Sequence, residues 1–210
     1  ISGTEPQVTA ALVTDATKVT AATALVAVSD ADTDETALDL ILGATGGAVT
    51  AALAGSAATI NTALTNGAAT DALTLTLDAE SVAASVLTSL DGKTSVALGA
   101  GSVTTHTGSL AEVKAVVDAA GITTNAAYAA TISDNAGTAF NATDLSAVGG
   151  DTTGTVTVTN AVAISGTEPQ VTAALVTDAT KVTAATALVA VSDADTDETA
   201  LDLILGATGG

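Results

Sequence analysis

The sequence predicts an α/β solenoid of right-handed coils, each holding a short parallel β-strand and a short helix. Three observations favour this fold: an exact long repeat, a shorter period of strand-like segments, and helical stretches between those segments. Right-handed winding is expected because strand–crossover–strand connections have that hand in about 98% of cases. A pure parallel β-helix is the alternative, since residues 103–107 and 161–164 each add a second strand-like stretch to a coil.

The long repeat places the same residues at both ends of the sequence. Residues 164–210 are identical to residues 1–47, so Ile164 is the counterpart of Ile1. We therefore divide the chain into one full tandem unit, residues 1–163, and the start of the next identical unit, residues 164–210. No stretch rich in Pro, Gly and Ser separates Gly150 from Ile164, so one continuous solenoid without a linker is expected. The sequence is interpreted as a window on a longer tandem array.

The shorter period consists of six β-prone segments with period-2 alternation, which is typical of strands with one buried face. Their second and fourth positions are aliphatic, as in Val26 and Val28, and their third positions are small. Counted by their closing residues, the six segments lead from Ser29 to its counterpart Ser192, so about six coils are predicted per unit. The predicted intervals are uneven, and the longest separates Gly99 from Ser133. The aligned segments are 25–29, 50–54, 74–78, 95–99, 129–133 and 155–159.

The third positions of these segments are predicted to point away from the core. Small side chains in register would leave a flat strip on which another layer could pack closely. Lateral packing on this strip is therefore one hypothesis, beside self-association through neighbouring units; the alternative is that Thr and Ala merely suit a solvated strand. The strip consists of Ala27, Ala52, Thr76, Ala97, Thr131 and Thr157.

Short helices are predicted between the strands from the residues at their ends. Thr4 with Gln7, and Ser109 with Glu112, have the spacing of capping boxes. Two weaker signals have the same spacing, Asp32 with Glu35 and Asn141 with Asp144. Glycines follow the helical stretches, where a left-handed residue commonly ends a helix; they are Gly43, Gly67, Gly92, Gly121 and Gly149. Apolar residues define the buried helix faces; they are Leu38, Ile41 and Leu42, and Leu110, Val113 and Val117.

Composition excludes several functions. The chain has 23 acidic residues, 4 Lys and a formal net charge of −19. Nucleic acids and anionic membrane surfaces are bound through Lys and Arg, so neither is expected as a partner. The absence of Cys removes disulfides, thiolate metal sites and Cys nucleophiles, and it fits an extracellular location. No apolar run approaches the roughly 18–20 residues that cross a bilayer, so direct membrane insertion of this segment is not expected.

One acidic cluster is a candidate calcium site. Asp30, Asp32 and Asp34 alternate like the first ligands of an EF-hand loop, and Ca²⁺ takes six to eight oxygen ligands. The pattern then departs from that motif, because its sixth residue is Glu35 and its twelfth is Ile41. The alternative interpretation is an acidic helix N-terminus, where carboxylates accept the free N–H groups and face the positive end of the helix dipole. No cofactor is required by the sequence, and Ca²⁺ is the one candidate.

No catalytic residues are predicted, and the chain is not expected to be an enzyme. His106 is the only histidine, and no nucleophile elbow or other local pattern marks it as part of a triad. We expect it to be exposed in a Thr-rich segment. Glycoside cleavage needs paired carboxylates and is usually assisted by aromatic platforms, but Tyr128 and Phe140 are the only aromatic residues. We expect both in the core or at its rim, with Tyr128 extending a strand and Phe140 beginning a helix.

The run Thr155-Val-Thr-Val-Thr-Asn-Ala-Val-Ala-Ile-Ser-Gly-Thr167, followed by a helical stretch with Val171, Ala174 and Leu175, resembles the repeat regions of very long bacterial cell-surface proteins. The resemblance rests on composition and rhythm and extends over the whole sequence. It implies an extracellular adhesin stalk, filament or coat at the cell surface.

Three functions are compatible with these observations. The first is a structural extracellular repeat protein that forms a stalk, filament or surface coat by end-to-end stacking of its units. The second is a calcium-dependent adhesion module, in which metal ions bridge the carboxylates of Asp30, Asp32 and Asp34. The third and most distant is a polysaccharide-degrading enzyme.

Overall fold

The computed structural model describes residues 1–208, and its paired strands are all parallel. One to three strands lie between successive helices along the chain, so the predicted α/β class is confirmed. The helices are α1 (Glu5–Leu12), α2 (Glu35–Ala44), α3 (Ala57–Ala63), α4 (Ala84–Asp91), α5 (Leu110–Asp118), α6 (Ala142–Asp151), α7 (Glu168–Leu175) and α8 (Glu198–Ala207). The strands are β1 (Ser2–Gly3), β2 (Val26–Val28), β3 (Val49–Gly55), β4 (Ala72–Leu77), β5 (Ser81–Ala83), β6 (Leu98–Ala100), β7 (Thr105–Gly108), β8 (Ile122–Thr124), β9 (Ala129–Ile132), β10 (Ala139–Asn141), β11 (Val156–Val158), β12 (Ala163–Gly166), β13 (Val182–Thr183) and β14 (Leu188–Val191).

The chain divides into two compact units that alternate along the sequence. Unit 1 contains residues 1–80, 86–102 and 120–124, and unit 2 contains residues 81–85, 103–119 and those from 125 onward. Unit 1 holds a six-stranded sheet in the order β1-β2-β3-β4-β6-β8. Unit 2 holds a five-stranded sheet, β13-β11-β9-β7-β5, and a three-stranded sheet, β10-β12-β14.

The sheet of unit 1 has the alternating faces that the sequence predicts. Leu53 pairs with Leu75 and both are buried, whereas Ala54 pairs with Thr76 and both are exposed. The register itself differs from the predicted alignment by two residues, because Val26 pairs with Val49. A slip of two residues leaves every side chain on its original face, so the inward and outward sets remain correct.

The five-stranded sheet of unit 2 carries a continuous row of buried side chains. The row passes from strand to strand through paired positions, which are Val82, His106, Ala130, Val156 and Val182. Here the predicted register is confirmed, because Val156 lies beside Ala130 and Val158 beside Ile132. Four aliphatic residues and one histidine therefore form the inner row of this sheet.

Paired strands are more evenly spaced along the chain than predicted. Ala51 pairs with Leu73 and Val156 pairs with Val182, so the two intervals are nearly equal. The uneven predicted intervals arose from mixing two sheets, because β6 belongs to the sheet of unit 1 and β9 to the five-stranded sheet of unit 2. Strands such as β8 and β10, which have only three residues, give no signal in the sequence because so short a segment shows no periodicity.

Most of the predicted helix N-termini are confirmed. The Ser109 hydroxyl accepts the N–H of Glu112, and Glu112 Oε2 accepts the N–H of Ser109, so α5 begins with a capping box. Asn141 caps α6 through the N–H of Thr143. The predicted cap of α2 at Asp32 is wrong, because Asp34 occupies that position and accepts the N–H of Ala37.

The buried face of α5 is also slightly different from the prediction. Leu110, Val113 and Val116 are buried, whereas Val117 is only partly covered. Both aromatic residues are buried as expected. Phe140 lies in strand β10 and does not begin the following helix.

The predicted left-handed helix ends are wrong. Among the described residues, positive φ angles occur only at Gly3, Gly55, Gly108 and Gly137. Helices α2 and α6 contain Gly43 and Gly149 and continue directly into extended threonines, so no left-handed turn is needed. Glycine is required at Gly149 for space, because a Cβ there would overlap the Thr180 backbone carbonyl, whereas a Cβ at Gly121 would meet only the end of the Asp91 side chain.

Within residues 1–208, the structure contains no helix with the length and apolar character that membrane crossing requires.

Candidate assembly surfaces of the duplicated segment

The duplicated segment occurs twice, and its helices are the same each time. We call residues 1–47 the first copy and residues 164–208 the second copy; the first lies in unit 1 and the second in unit 2. The helices α1 and α7 have equal lengths and the same N-cap geometry, as do α2 and α8. The helices of the segment are therefore determined by its own sequence.

The trailing face of the segment is the one directed toward the residues that follow it. In the first copy it consists of Val26, Val28, Leu38 and Leu42. Residues 48–66 cover this face, because β3 pairs with β2 and α3 packs against α2. Leu38 is fully buried there and Leu42 is only 5% exposed.

In the second copy the same face is open. Its residues are Val189, Val191, Leu201 and Leu205. The two valines are half-buried, and the leucines are 38% and 55% exposed. Together with Ile204 and two threonines, Thr196 and Thr208, they line a cavity of about 310 Å³. The trailing face of the second copy is thus an apolar groove.

The leading face is the opposite one, and here the second copy is covered. Ile164 pairs with Phe140 and Val182 pairs with Val156, while α7 packs against α6. Ile164 is fully buried and Val182 is 1% exposed.

The leading face of the first copy is open. Ile1 is 45% exposed and Val19 is 54% exposed. Residues 19–20 form no strand, although the identical residues Val182 and Thr183 form β13 where β11 is available as a partner. Each face of the segment is therefore covered in one copy and open in the other.

Polar groups at the edge of the trailing face complete its match to the following residues. In the first copy, Asp32 Oδ1 accepts the N–H of Ala54 at 2.9 Å. Asp39 accepts the hydroxyl of Thr65 at 2.9 Å and the N–H of Asn66 at 2.7 Å. The corresponding carboxylates of the second copy, those of Asp195 and Asp202, accept no hydrogen bond from the part of the chain that the structure describes.

A second set of carboxylates caps the N-termini of helices that lie earlier in the chain. Each carboxylate follows its helix start by about the same number of residues as separates two paired strands. In each case a carboxylate accepts the N–H of the first residue of an earlier helix, where the helix leaves its N–H groups free. Sequence reasoning missed this arrangement, whose signal is an acidic residue at a nearly constant separation from the helix start. The pairs are Asp30 with Glu5, Glu80 with Ala57, Asp134 with Leu110, and Asp193 with Glu168.

The three predicted calcium ligands each serve a different backbone group. Asp30 accepts the N–H of Glu5, Asp32 accepts that of Ala54, and Asp34 accepts that of Ala37. Within residues 1–208, no group of three or more His, Cys, Asp or Glu side chains is placed to hold a metal ion. Of the three, only Asp34 caps the helix that follows the cluster, as the alternative interpretation has it, whereas Asp30 serves α1 and Asp32 serves β3.

His106 is buried in unit 2, so the expectation that it is exposed is wrong. It is fully covered in the inner row of the five-stranded sheet and stacks on Tyr128, with ring centroids 4.1 Å apart. Among the described residues neither of its ring nitrogens has a hydrogen-bond partner, whereas a catalytic triad requires one at each. Burial lowers the pKa of His106, and the nearby Asp151 carboxylate opposes that shift.

Tyr128 connects this histidine to a carboxylate. Its hydroxyl donates to Asp151 Oδ2 at 2.8 Å. Burial raises the pKa of Tyr128, and the hydrogen bond and charge of Asp151 raise it further. The phenol therefore stays protonated, and the cluster acts as a packed part of the core.

No protein-family model, curated protein or solved structure matches this chain. Each face of the duplicated segment is covered by neighbouring residues in one of its two copies.

Proposed function

We propose that the chain is a structural extracellular repeat protein whose units stack end to end into a stalk, filament or surface coat. In this proposal, successive parallel strands and helices wind as right-handed solenoid coils, and each unit continues into the next without a linker. The chain is not an enzyme, and its assembly needs no metal ion.

The observation that carries the proposal is the complementary coverage of the two copies. The trailing face that is open at Leu205 is covered at Leu42, and the leading face that is open at Val19 is covered at Val182. A unit that follows the second copy would supply residues 48–66 to the open groove. Repetition of this contact is sufficient to extend the assembly without a further type of interface.

The polar features support the same function. Paired strands recur at nearly even intervals, and carboxylates cap earlier helices at a similar interval. The strand pairs and the capping carboxylates both connect consecutive stretches of chain, as a solenoid requires. A net charge of −19 disfavours nonspecific association between molecules.

The test compares the 210-residue chain with a two-unit chain, in which residues 1–163 precede residues 1–210. We expect small-angle X-ray scattering to give the same cross-section for both and a maximum dimension that grows by the length of one unit. Two particles moving independently about the boundary between the units would contradict the proposal.

A further inference from the structure

We propose that Asn141 carries a sugar on its side-chain nitrogen. It is the acceptor position of an N-linked glycosylation sequon, Asn141-Ala142-Thr143. The inference goes beyond the stacking of units, but it rests on the proposed extracellular location, because this sequon is used on the surface of secreted proteins.

The sequon is present once in the 163-residue unit. Several asparagines occur in the chain, and only Asn141 is followed by a residue other than Pro and then by Ser or Thr. Because the unit is repeated, one acceptor recurs at the same place in every unit.

Asn141 lies in the interior of the repeat, with a neighbour on each side. It caps α6, which packs on α5 before it and on α7 after it, and Asn141 itself pairs with Ser165. Asn141 is exposed although both neighbours are in place. Its exposure is therefore a property of the unit and does not depend on where the sequence begins or ends.

The oxygen and the nitrogen of the Asn141 carboxamide have different roles. Oδ1 accepts the N–H of Thr143 at 3.1 Å and the hydroxyl of Thr143 at 2.9 Å. Among residues 1–208, no group accepts a hydrogen bond from Nδ2. The oxygen thus caps the helix, and the nitrogen, to which the sugar attaches, is available.

The threonine of the sequon contacts the group that reacts. Its hydroxyl donates to the carboxamide oxygen of Asn141. This hydrogen bond draws electron density from the carboxamide, so that a proton on Nδ2 is removed more easily. A serine at position 143 can make the same contact, whereas an alanine cannot.

The surface beside Asn141 has room for a sugar. A cavity of about 230 Å³ borders this residue between α5 and α6, and Lys114, Asp134 and Asp144 are among its lining residues. Ammonium and carboxylate groups can hydrogen-bond sugar hydroxyls. The first sugar can therefore lie against the protein instead of extending freely into water.

The reaction joins Asn141 to an activated sugar whose leaving group is a phosphate. A bond forms between Nδ2 and the anomeric carbon of the sugar, and the bond between that carbon and a phosphate oxygen breaks. The phosphate leaves with the electron pair of the broken bond, and Nδ2 gives one proton to a base of the transferase. Oδ1 takes no part in the new bond, so the product keeps the cap of α6.

The first test is mass spectrometry of the protein isolated from the cells that produce it. Trypsin cleaves after Lys114 and Lys181, and the peptide 115–181 contains this sequon and no other. We expect the peptide to carry added mass that electron-transfer fragmentation locates on Asn141. The mass of a single sugar would indicate a sugar-nucleotide donor, and that of an oligosaccharide a lipid-linked donor. An unmodified peptide, or added mass on a Ser or Thr, would overturn the proposal.

The second test separates glycosylation from helix capping, with variants produced in the same cells. Asn141→Asp keeps an oxygen for the N–H of Thr143 but lacks the nitrogen, and Thr143→Ala keeps the nitrogen but lacks the hydroxyl. Both should lose the sugar completely, whereas Thr143→Ser, the matched control, should retain it. Circular dichroism establishes that the variants are folded.

Sugar that persists in Asn141→Asp or Thr143→Ala, or that is absent from Thr143→Ser, would contradict the assignment of Asn141. The stacking of units is tested separately, by scattering from a two-unit chain that carries no sugar. Failure of the glycosylation proposal is therefore distinguishable from failure of the stacking proposal.

Discussion

Val19 and Val182 stand at the same position in identical stretches of sequence, yet one side chain is 54% exposed and the other 1%. Leu42 and Leu205 show the reverse, at 5% and 55%. The helices of the two copies nevertheless have equal lengths and caps. The segment thus forms its helices locally and depends on its neighbours for the coverage of its two faces.

Strand formation, like the coverage of the two faces, depends on the neighbours of the segment. Residues 182–183 pair with β11 and form a strand, whereas residues 19–20 have no such partner in unit 1 and form none. A short β-strand needs a neighbouring strand to receive its backbone hydrogen bonds, but a capped helix satisfies most of its own. The comparison therefore separates what the repeat encodes locally from what stacking adds.

The largest expected difference between the two copies is the loss of stability when a leucine of the trailing face is truncated. Leu42→Ala should lower the free energy of unfolding by about 2–5 kcal/mol, because it leaves a cavity under residues 48–66. Leu205→Ala changes the same residue in the same sequence, where the side chain is open, and should cost at most about 0.5 kcal/mol. Urea denaturation of the two variants beside the parent measures both. Equal losses would show that coverage of this face does not differ between the copies.

On the leading face, a substitution in the second copy should destabilise the protein more than the same substitution in the first copy. Val182→Ala removes two buried methyl groups from the inner row of unit 2 and should cost about 2 kcal/mol. Val19→Ala, its matched control, should leave the urea midpoint within the error of the measurement. A larger effect at Val19 than at Val182 would reverse the assignment of the covered face.

The stability of unit 2 should depend on pH, because His106 lies in its five-stranded sheet. That sheet also includes β13 of the second copy. The lowered pKa of His106 means that the unfolded chain binds the proton more readily. The stability of unit 2 is therefore full above the unfolded pKa of about 6.5 and declines below it, by at most about 1.4 kcal/mol per pH unit for one proton. Tyr128 is the only tyrosine, the chain has no Trp, and Tyr128 lies in unit 2, so its fluorescence reports this unit.

The control for this pH effect is His106→Leu, which keeps the row apolar and removes the titrating group. The difference in melting temperature between parent and variant should grow as the pH falls from 7.5 to 5.5. A constant difference over that range would show that His106 is not the group responsible.

The smallest expected difference concerns the carboxylates at the edge of the trailing face. Asp32→Ala should cost about 1 kcal/mol, because the N–H of Ala54 loses its acceptor. Asp195→Ala should cost nothing measurable, since among residues 1–208 no N–H group donates to its carboxylate. Thermal melting with and without EDTA, run on the parent, tests the calcium alternative in the same experiment. A shift of many degrees on adding EDTA would favour the adhesion module.

Much of the fold could be predicted because its signals are local. Alternation placed Leu53 and Leu75 on the buried face even though the register was two residues off, and the capping box at Ser109 marked the start of α5. The assignment of strands to separate sheets could not be predicted. Segments such as β8 carry three residues, and which sheet they join depends on contacts far away in sequence.

The candidate surfaces were only partly predictable. The exact repeat suggested stacking. The two copies are identical in sequence, however, so the sequence does not tell which face of each copy is open. The functions of Asp30 and Gly149 were likewise hidden, because each depends on a group far away in the sequence, Glu5 and Thr180 respectively. His106 was misplaced because a lone histidine among threonines resembles an exposed residue.

The central claim is that the groove of the second copy is filled by the next unit. A single Leu205→Cys substitution tests it, since the chain has no other thiol. In the 210-residue chain this thiol should react rapidly with a maleimide, and Leu42→Cys should react slowly. In the two-unit chain, the cysteine is placed at the 205th position from the N-terminus, which is position 42 of the second unit. It should react as slowly as Leu42→Cys in the 210-residue chain, because residues 48–66 of the second unit cover it. A thiol that reacts as fast in the two-unit chain as in the single chain would contradict the account.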